Sequence, residues 1–154
     1  MLIHQTLIRE RCFDGVPGNS KKRILENCSE LIAQQVDNLD EEEIFLGLVN
    51  RERLGSTGIG EGIAIPHCRL EQCKEAFGAL IKLPEPIDFD AIDHQPVDLL
   101  FVLLVPIEAT EEHLQLLAAL AEMFNDPDLR ARMRAAGDAD ALYKVAVDYE
   151  MERL

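Results

Sequence analysis

Residues Asp98–Val105 read DLLFVLLV, an apolar run with no alternation after its first residue. A strand wet on one face alternates, because successive side chains point to opposite faces. A continuous run demands cover on both faces. It predicts a central strand in a sheet with helices packed on each side. The longest apolar run, Leu99–Ile107, is broken only by Pro106. It falls far short of the roughly 20 residues that a membrane-crossing helix needs. A chain of 154 residues, 47% of them hydrophobic, can bury one such core, so a single domain is expected.

The covering helices are legible in the spacing. Asn19 or Ser20 can cap a first helix, with Ile24, Leu25, Cys28, Leu31 and Ile32 on its apolar stripe. The acidic turn Asp37–Asp40 ends it. Asp40 starts a second helix, with Glu43 placed for a capping box and Ile44, Phe45, Leu48 and Val49 facing inward. Arg51 and Arg53 fall near its end, where positive charge suits the dipole. Thr110 can cap a third helix with Leu114, Leu117, Ala118, Ala121 and Phe124 on its apolar side. Asp126-Pro127 reads as cap and first turn of a fourth, ending near Gly137. A fifth spans about Asp140–Tyr149, packing through Leu142, Val145, Ala146 and Tyr149, with a frayed tail at Glu150–Arg153. Strands are expected at Ile63–Ile65 and at Phe77–Leu83, the latter broken by Pro84 and Pro86. The fold class is α/β, a mixed central sheet between helical layers.

Charge narrows the function. With 15 Lys and Arg against 29 Asp and Glu, the formal charge is −14. Nucleic acid and anionic membrane surfaces are poor partners for such a chain, since both are held by clustered cations. A protein partner should bring positive charge to the contact. MLIHQTLIRE is not a signal peptide, having no basic segment followed by an apolar one. Cys12, Cys28, Cys68 and Cys73 form no CxxC pair and suit reduced thiols in the cytoplasm. No spacing supports a metal site built from His67, Cys68, Cys73 and His113.

Chemistry concentrates at residues 55–67, GSTGIGEGIAIPH. This is neither a dinucleotide fingerprint nor a Walker loop. Its glycines let backbone N–H groups approach an anion, and Ser56 and Thr57 add hydroxyls. His67 follows Pro66, a stiff base. A neutral imidazole is an effective nucleophile near pH 7, and phosphoryl acceptance asks mainly for positioning and charge stabilisation. The alternative is a structural loop whose histidine caps a strand. His113 is open in the same way, as a capping residue or as a second imidazole at the phosphate. Arg51 is an ordinary helix-end charge or a clamp on phosphoryl oxygens. His4 and His94 have no informative context.

Residues 51–70, RERLGSTGIGEGIAIPHCRL, resemble the active-site signature of the fructose/mannitol-type IIA proteins of the bacterial phosphoenolpyruvate-dependent phosphotransferase system. The nearer resemblance is to the stand-alone nitrogen-related IIA protein, the regulatory branch. It extends to Asp98–Ala121, where a buried strand precedes PIEATEEHLQLLAALAEMF, and so spans nearly the whole chain. It implies one EIIA type-2 domain over residues 1–154. It implies that His67 takes a phosphoryl group on Nε2, with His113 and Arg51 beside it. The candidate phosphate loop comprises Ser56, Thr57, Gly58, Gly60 and Glu61, and by the resemblance Glu61 matches an acidic position of the mannitol-type proteins.

The implied donor is an HPr-like phosphocarrier, itself charged by an enzyme I-type protein. The implied targets include potassium transport systems and sensor kinases. No cofactor or fixed metal is implied. The other readings are a sugar-transport IIA component that passes phosphate to a IIB domain, and a binding module whose His67 is never phosphorylated. Cys68 departs from the commonest form of the motif, where glycine follows the histidine, and is expected either to alter the local electrostatics or to make the site sensitive to oxidation. Ile59, Ile63 and Ile65 are expected to form an apolar docking surface around His67.

Overall fold

The computed structural model describes residues 2–108 and 110–154. A short 3-10 turn, Ile3–Gln5, leads into β1 (Leu7–Asp14), followed by α1 (Lys21–Ala33) and α2 (Glu41–Glu52). Five more strands follow: β2 (Gly58–Gly60), β3 (Ile63–Ala64), β4 (His67–Leu70), β5 (Phe77–Ile87) and β6 (Val97–Pro106). The chain closes with α3 (Glu111–Phe124), α4 (Pro127–Ala135) and α5 (Ala139–Met151).

The sheet runs β1-β5-β6-β3-β2, with β4 also paired to β6. It is mixed: β5 and β6 are antiparallel, while β1 pairs parallel to β5, and β3 and β4 pair parallel to β6. The unbroken apolar run of β6 has the expected cause. Leu100, Val102 and Leu104 point into a core shared with α1 and α2, while Leu99, Phe101, Leu103 and Val105 point into a second core under α3, α4 and α5. Among the described residues no helix is long and apolar enough to cross a membrane.

Caps follow the sequence closely. Ser20, Asp40 and Asp126 each accept a backbone N–H at the start of their helix, and Pro127 opens α4.

Five expectations change. β1 is an added strand, hidden because Arg9, Glu10, Arg11 and Asp14 break any apolar pattern; Arg11 is nonetheless buried, donating to the Gly78 and Thr6 carbonyls. β5 runs through both prolines instead of stopping at Leu83. Its pairing with β1 ends at Lys82, and its pairing with β6 shifts between Lys82 and Ile87, so Pro84 and Pro86 lie clear of the regular ladder. The glycine-rich segment is a hairpin as well as a loop. Glu61 and Gly62, both at positive φ, turn β2 into β3.

The buried face of α3 is Leu116, Leu120, Met123 and Phe124, with Leu117 and Ala121 packed at its margin; Leu114 and Ala118 are exposed. A stripe through Leu114 and Ala118 is turned toward solvent relative to the buried face. The tail does not fray at Glu150. Its carboxylate accepts the N–H groups of Ile3 and His4, at 2.7 and 2.9 Å, and pairs with His4 Nδ1 at 2.7 Å. It thereby caps the N-terminal turn.

Candidate active site

β3 and β4 form one interrupted strand. The partner offset on β6 is unchanged from Ile63↔Leu99 to Leu70↔Pro106. The break falls at Ile65-Pro66, because Pro66 has no N–H to donate. Pro66 still accepts from Leu103 N–H at 2.9 Å, so His67 leaves from a fixed peptide. β4 itself was not expected from the sequence.

Two hydrogen bonds settle the state of the His67 ring. Nδ1 lies 2.7 Å from the Ile65 carbonyl, which can only accept, so Nδ1 carries the proton. Arg51 Nε donates to Nε2 at 3.3 Å, so Nε2 is bare. Both bonds require the same neutral tautomer. Burial holds the imidazole below its ordinary value of 6.5; the Ile65 carbonyl opposes this, Arg51 reinforces it, and Glu52 opposes it. His67 is therefore neutral at pH 7, with its Nε2 lone pair available. Its ring signals in a pH titration by NMR are expected to turn over below pH 6.5. A midpoint at or above that value contradicts the assignment.

The His67 ring opens into a cleft of about 500 Å³. The last turn of α2 contributes Asn50 and Arg51, with Leu54 just beyond; β6 contributes Leu103 and Val105; α3 contributes His113, Leu114 and Leu117. Arg51 is steadied by a second bond, Nη1 to the Gly55 carbonyl at 3.0 Å. His113 has the complementary tautomer. Its Nδ1 accepts the Thr110 N–H at 3.1 Å, so in the neutral ring the proton sits on Nε2. One imidazole thus offers a lone pair and the other a donor. α2 sits close over β4 at Gly47, where a Cβ would come within 2.8 Å of Cys68 Sγ.

The cleft gathers His67, Arg51 and His113, but not the loop residues grouped with them. Ser56 donates to the Phe89 carbonyl and accepts from Gly58 N–H. Thr57 is tied to Glu52. Gly58 and Gly60 belong to β2, and Glu61 sits at the hairpin tip, bonded through its N–H to Asp93 and facing Arg130. None of the five lines the cleft.

The apolar surface also lies elsewhere. Ile63 and Ile65 are buried, and Ile59 lies on β2, outside the cleft lining. The exposed apolar side chains at the mouth are Leu54, 84% exposed, and Leu114, 58% exposed. Sequence reasoning missed both, though Leu54 lies beyond the helix stripe and Leu114 off it. Arg69 also lines the cleft, and no Asp or Glu does among the described residues. The charged side chains that line the cleft are therefore both arginines, in a chain whose overall charge is −14.

Cys68 is a buried residue in the wall of the cleft, and burial pushes its thiol up to about 12. Burial disfavours the thiolate, the form of a cysteine that reacts. Among the described residues no three His, Cys, Asp or Glu side chains converge as a metal site.

A mixed sheet between helical layers, with two histidines and an arginine at the mouth of one cleft, defines a class. A family model described as phosphoenolpyruvate-dependent sugar phosphotransferase system, EIIA 2, matches residues 7–147, and the chain belongs to this family. The nitrogen regulatory protein of Pseudomonas aeruginosa is 52% identical over 148 residues, covering 96% of each chain. The crystal structure of nitrogen regulatory protein IIA-Ntr from Neisseria meningitidis superposes with a TM-score of 0.86 at 39% identity, covering 95% of this chain and 99% of that one. The IIA mannitol protein of Escherichia coli shares the fold, with a TM-score of 0.75 at 20% identity and coverage of 92% and 99%.

Proposed function

We propose that this chain is a regulatory phosphocarrier of the nitrogen-related phosphotransferase system, one EIIA type-2 domain over residues 1–154. The observation that carries the reading is the His67 ring, protonated on Nδ1 by its bond to Ile65 and bare on Nε2 beside Arg51. An HPr-like carrier docks its phosphohistidine over the cleft, and Leu54 and Leu114 supply the apolar contact. Nε2 of His67 attacks phosphorus in line. The new N–P bond forms as the donor's N–P bond breaks, and the donor imidazole leaves with its electron pair.

The transferred group carries its charge on three equatorial oxygens, so catalysis is positioning and charge stabilisation. Arg51 turns its donors from the Nε2 lone pair to those oxygens, and His113 offers its Nε2–H. Nδ1 keeps its proton throughout, and the Ile65 carbonyl stabilises the positive charge that develops on the ring. The donor is recharged by an enzyme I-type protein. On this reading the protein works in the cytoplasm, alongside its donors.

The nitrogen regulatory names of its relatives favour regulation over sugar transport. The protein then acts by contacting partners, potassium transport systems and sensor kinases among them, according to its phosphorylation state. The test is to charge the protein from phosphoenolpyruvate through an enzyme I-type protein and its carrier, and to locate phosphorus by NMR. The expected adduct is on Nε2 of His67. An adduct on Nδ1, or on another residue, contradicts the mechanism.

A further inference from the structure

Glu52 follows Arg51 on the last turn of α2, and its side chain is only 5% exposed. Carboxylates are almost never buried this far without partners. Glu52 has a full set. Lys21 Nζ stands 2.7 Å from Oε2, and the Thr57 N–H donates to the same oxygen at 3.1 Å. The Thr57 hydroxyl donates to Oε1. Lys21 is itself held over the Phe89 ring, 4.8 Å from its centroid.

The chain of bonds continues beyond Thr57. The Thr57 carbonyl accepts the Ile65 N–H at 3.0 Å. The Ile65 carbonyl accepts Nδ1–H of His67 at 2.7 Å. A path of hydrogen bonds therefore runs from the Glu52 carboxylate through the backbones of Thr57 and Ile65 to the imidazole. The neighbouring side chain on the same helical turn, Arg51, meets the other ring nitrogen. Fixing that turn to Thr57 fixes the partners of both nitrogens relative to each other.

We propose that Glu52 is a positioning residue for His67, setting through Thr57 and Ile65 the orientation and tautomer of the ring. The proposal rests on the reading that His67 accepts a phosphoryl group on Nε2. A buried carboxylate is costly beside an apolar side chain of similar size, which would pack this helix end with less desolvation. What the carboxylate adds is direction, because it clasps one peptide from a defined side. Its charge also offsets that of Arg51 at the His67 ring. Hydrogen-bond partners standing behind an imidazole in this way fix which ring nitrogen carries the proton.

The test uses the full chain with Glu52→Gln and Glu52→Asp. The glutamine side chain is neutral towards Lys21. Aspartate keeps the charge but draws the carboxylate back by one methylene, out of reach of Thr57. The primary readout is the 15N spectrum of the His67 ring in the free protein, which separates a protonated from a bare nitrogen. In the wild type, Nδ1 is expected to read as protonated and Nε2 as bare. In both variants the two nitrogens are expected to move toward each other as the tautomers mix.

Phosphoryl uptake is expected to fall on the order of 100-fold, the usual cost of a misplacement of about an ångström. Should Glu52→Gln fail to fold, Glu52→Asp decides. Wild-type ring shifts in the folded variants overturn the proposal. The ring spectrum needs no donor, so the two readings fail separately. A shifted ring in the variants with no uptake by wild type removes the phosphocarrier reading and leaves the positioning role.

Discussion

Replacing Arg51 by alanine is expected to slow phosphoryl uptake by His67 about 100- to 1,000-fold, the usual loss when one donor to developing oxygen charge is removed. Arg51 is the only arginine whose guanidinium bonds to the His67 ring among the described residues. Its anchor on the Gly55 carbonyl keeps the guanidinium at the His67 ring before the donor arrives. Lysine, a point charge on a flexible stem, should restore little of the rate. Single-turnover kinetics with charged carrier over a range of concentrations is the measurement. The limiting rate should fall more than the half-saturating concentration rises, because the clamp acts in the transition state. An unchanged limiting rate would mean that Arg51 serves only the α2 terminus.

The largest stability effect is expected at Phe101→Ala. Phe101 is fully buried on β6, facing the core beneath α3, α4 and α5. Its ring occupies the space above Gly78 on β5, where a Cβ would come within 2.7 Å of Cζ. A smaller residue leaves a cavity that a backbone so closely apposed cannot collapse to fill. The cost should be about 3–5 kcal/mol. For a chain of this size that lowers the melting midpoint by roughly 10 °C. Urea unfolding checks it, with the midpoint falling and the slope unchanged. A loss under about 1 kcal/mol would show that the core is not packed around this ring.

The parts of the fold that were legible carry local signals. Helix starts were readable because Ser20, Asp40 and Asp126 bond to N–H groups a few residues away. β6 was readable because both its faces are apolar. β1 was not, since an edge strand can bury Leu7, Arg11 and Cys12 while leaving its other positions to charges. The length of β5 was hidden for a different reason. Proline breaks a ladder only where its N–H is needed, and that depends on which neighbour is alongside.

The site divides in the same way. His67 stood out through the Pro66 step and Arg51 through its place at a helix end. What brings Arg51 and His113 to one cleft is the packing of α2 and α3 around β4 and β6, which no local pattern encodes. The glycine-rich stretch suggested a phosphate loop because permissive backbone looks alike whatever it serves. Here it forms the hairpin beside the site and, through Thr57, part of the support for His67.

Phosphoryl acceptance by His67 is tested most directly by the mass of the intact protein after incubation with phosphoenolpyruvate, an enzyme I-type protein and its phosphocarrier. Spectra are taken at neutral or mildly alkaline pH, since phosphohistidine is labile to acid. The wild type is expected to gain one phosphoryl group, and His67→Ala none. No gain in the wild type from a carrier shown to be charged, or an equal gain in His67→Ala, would contradict the assignment of His67 as the acceptor.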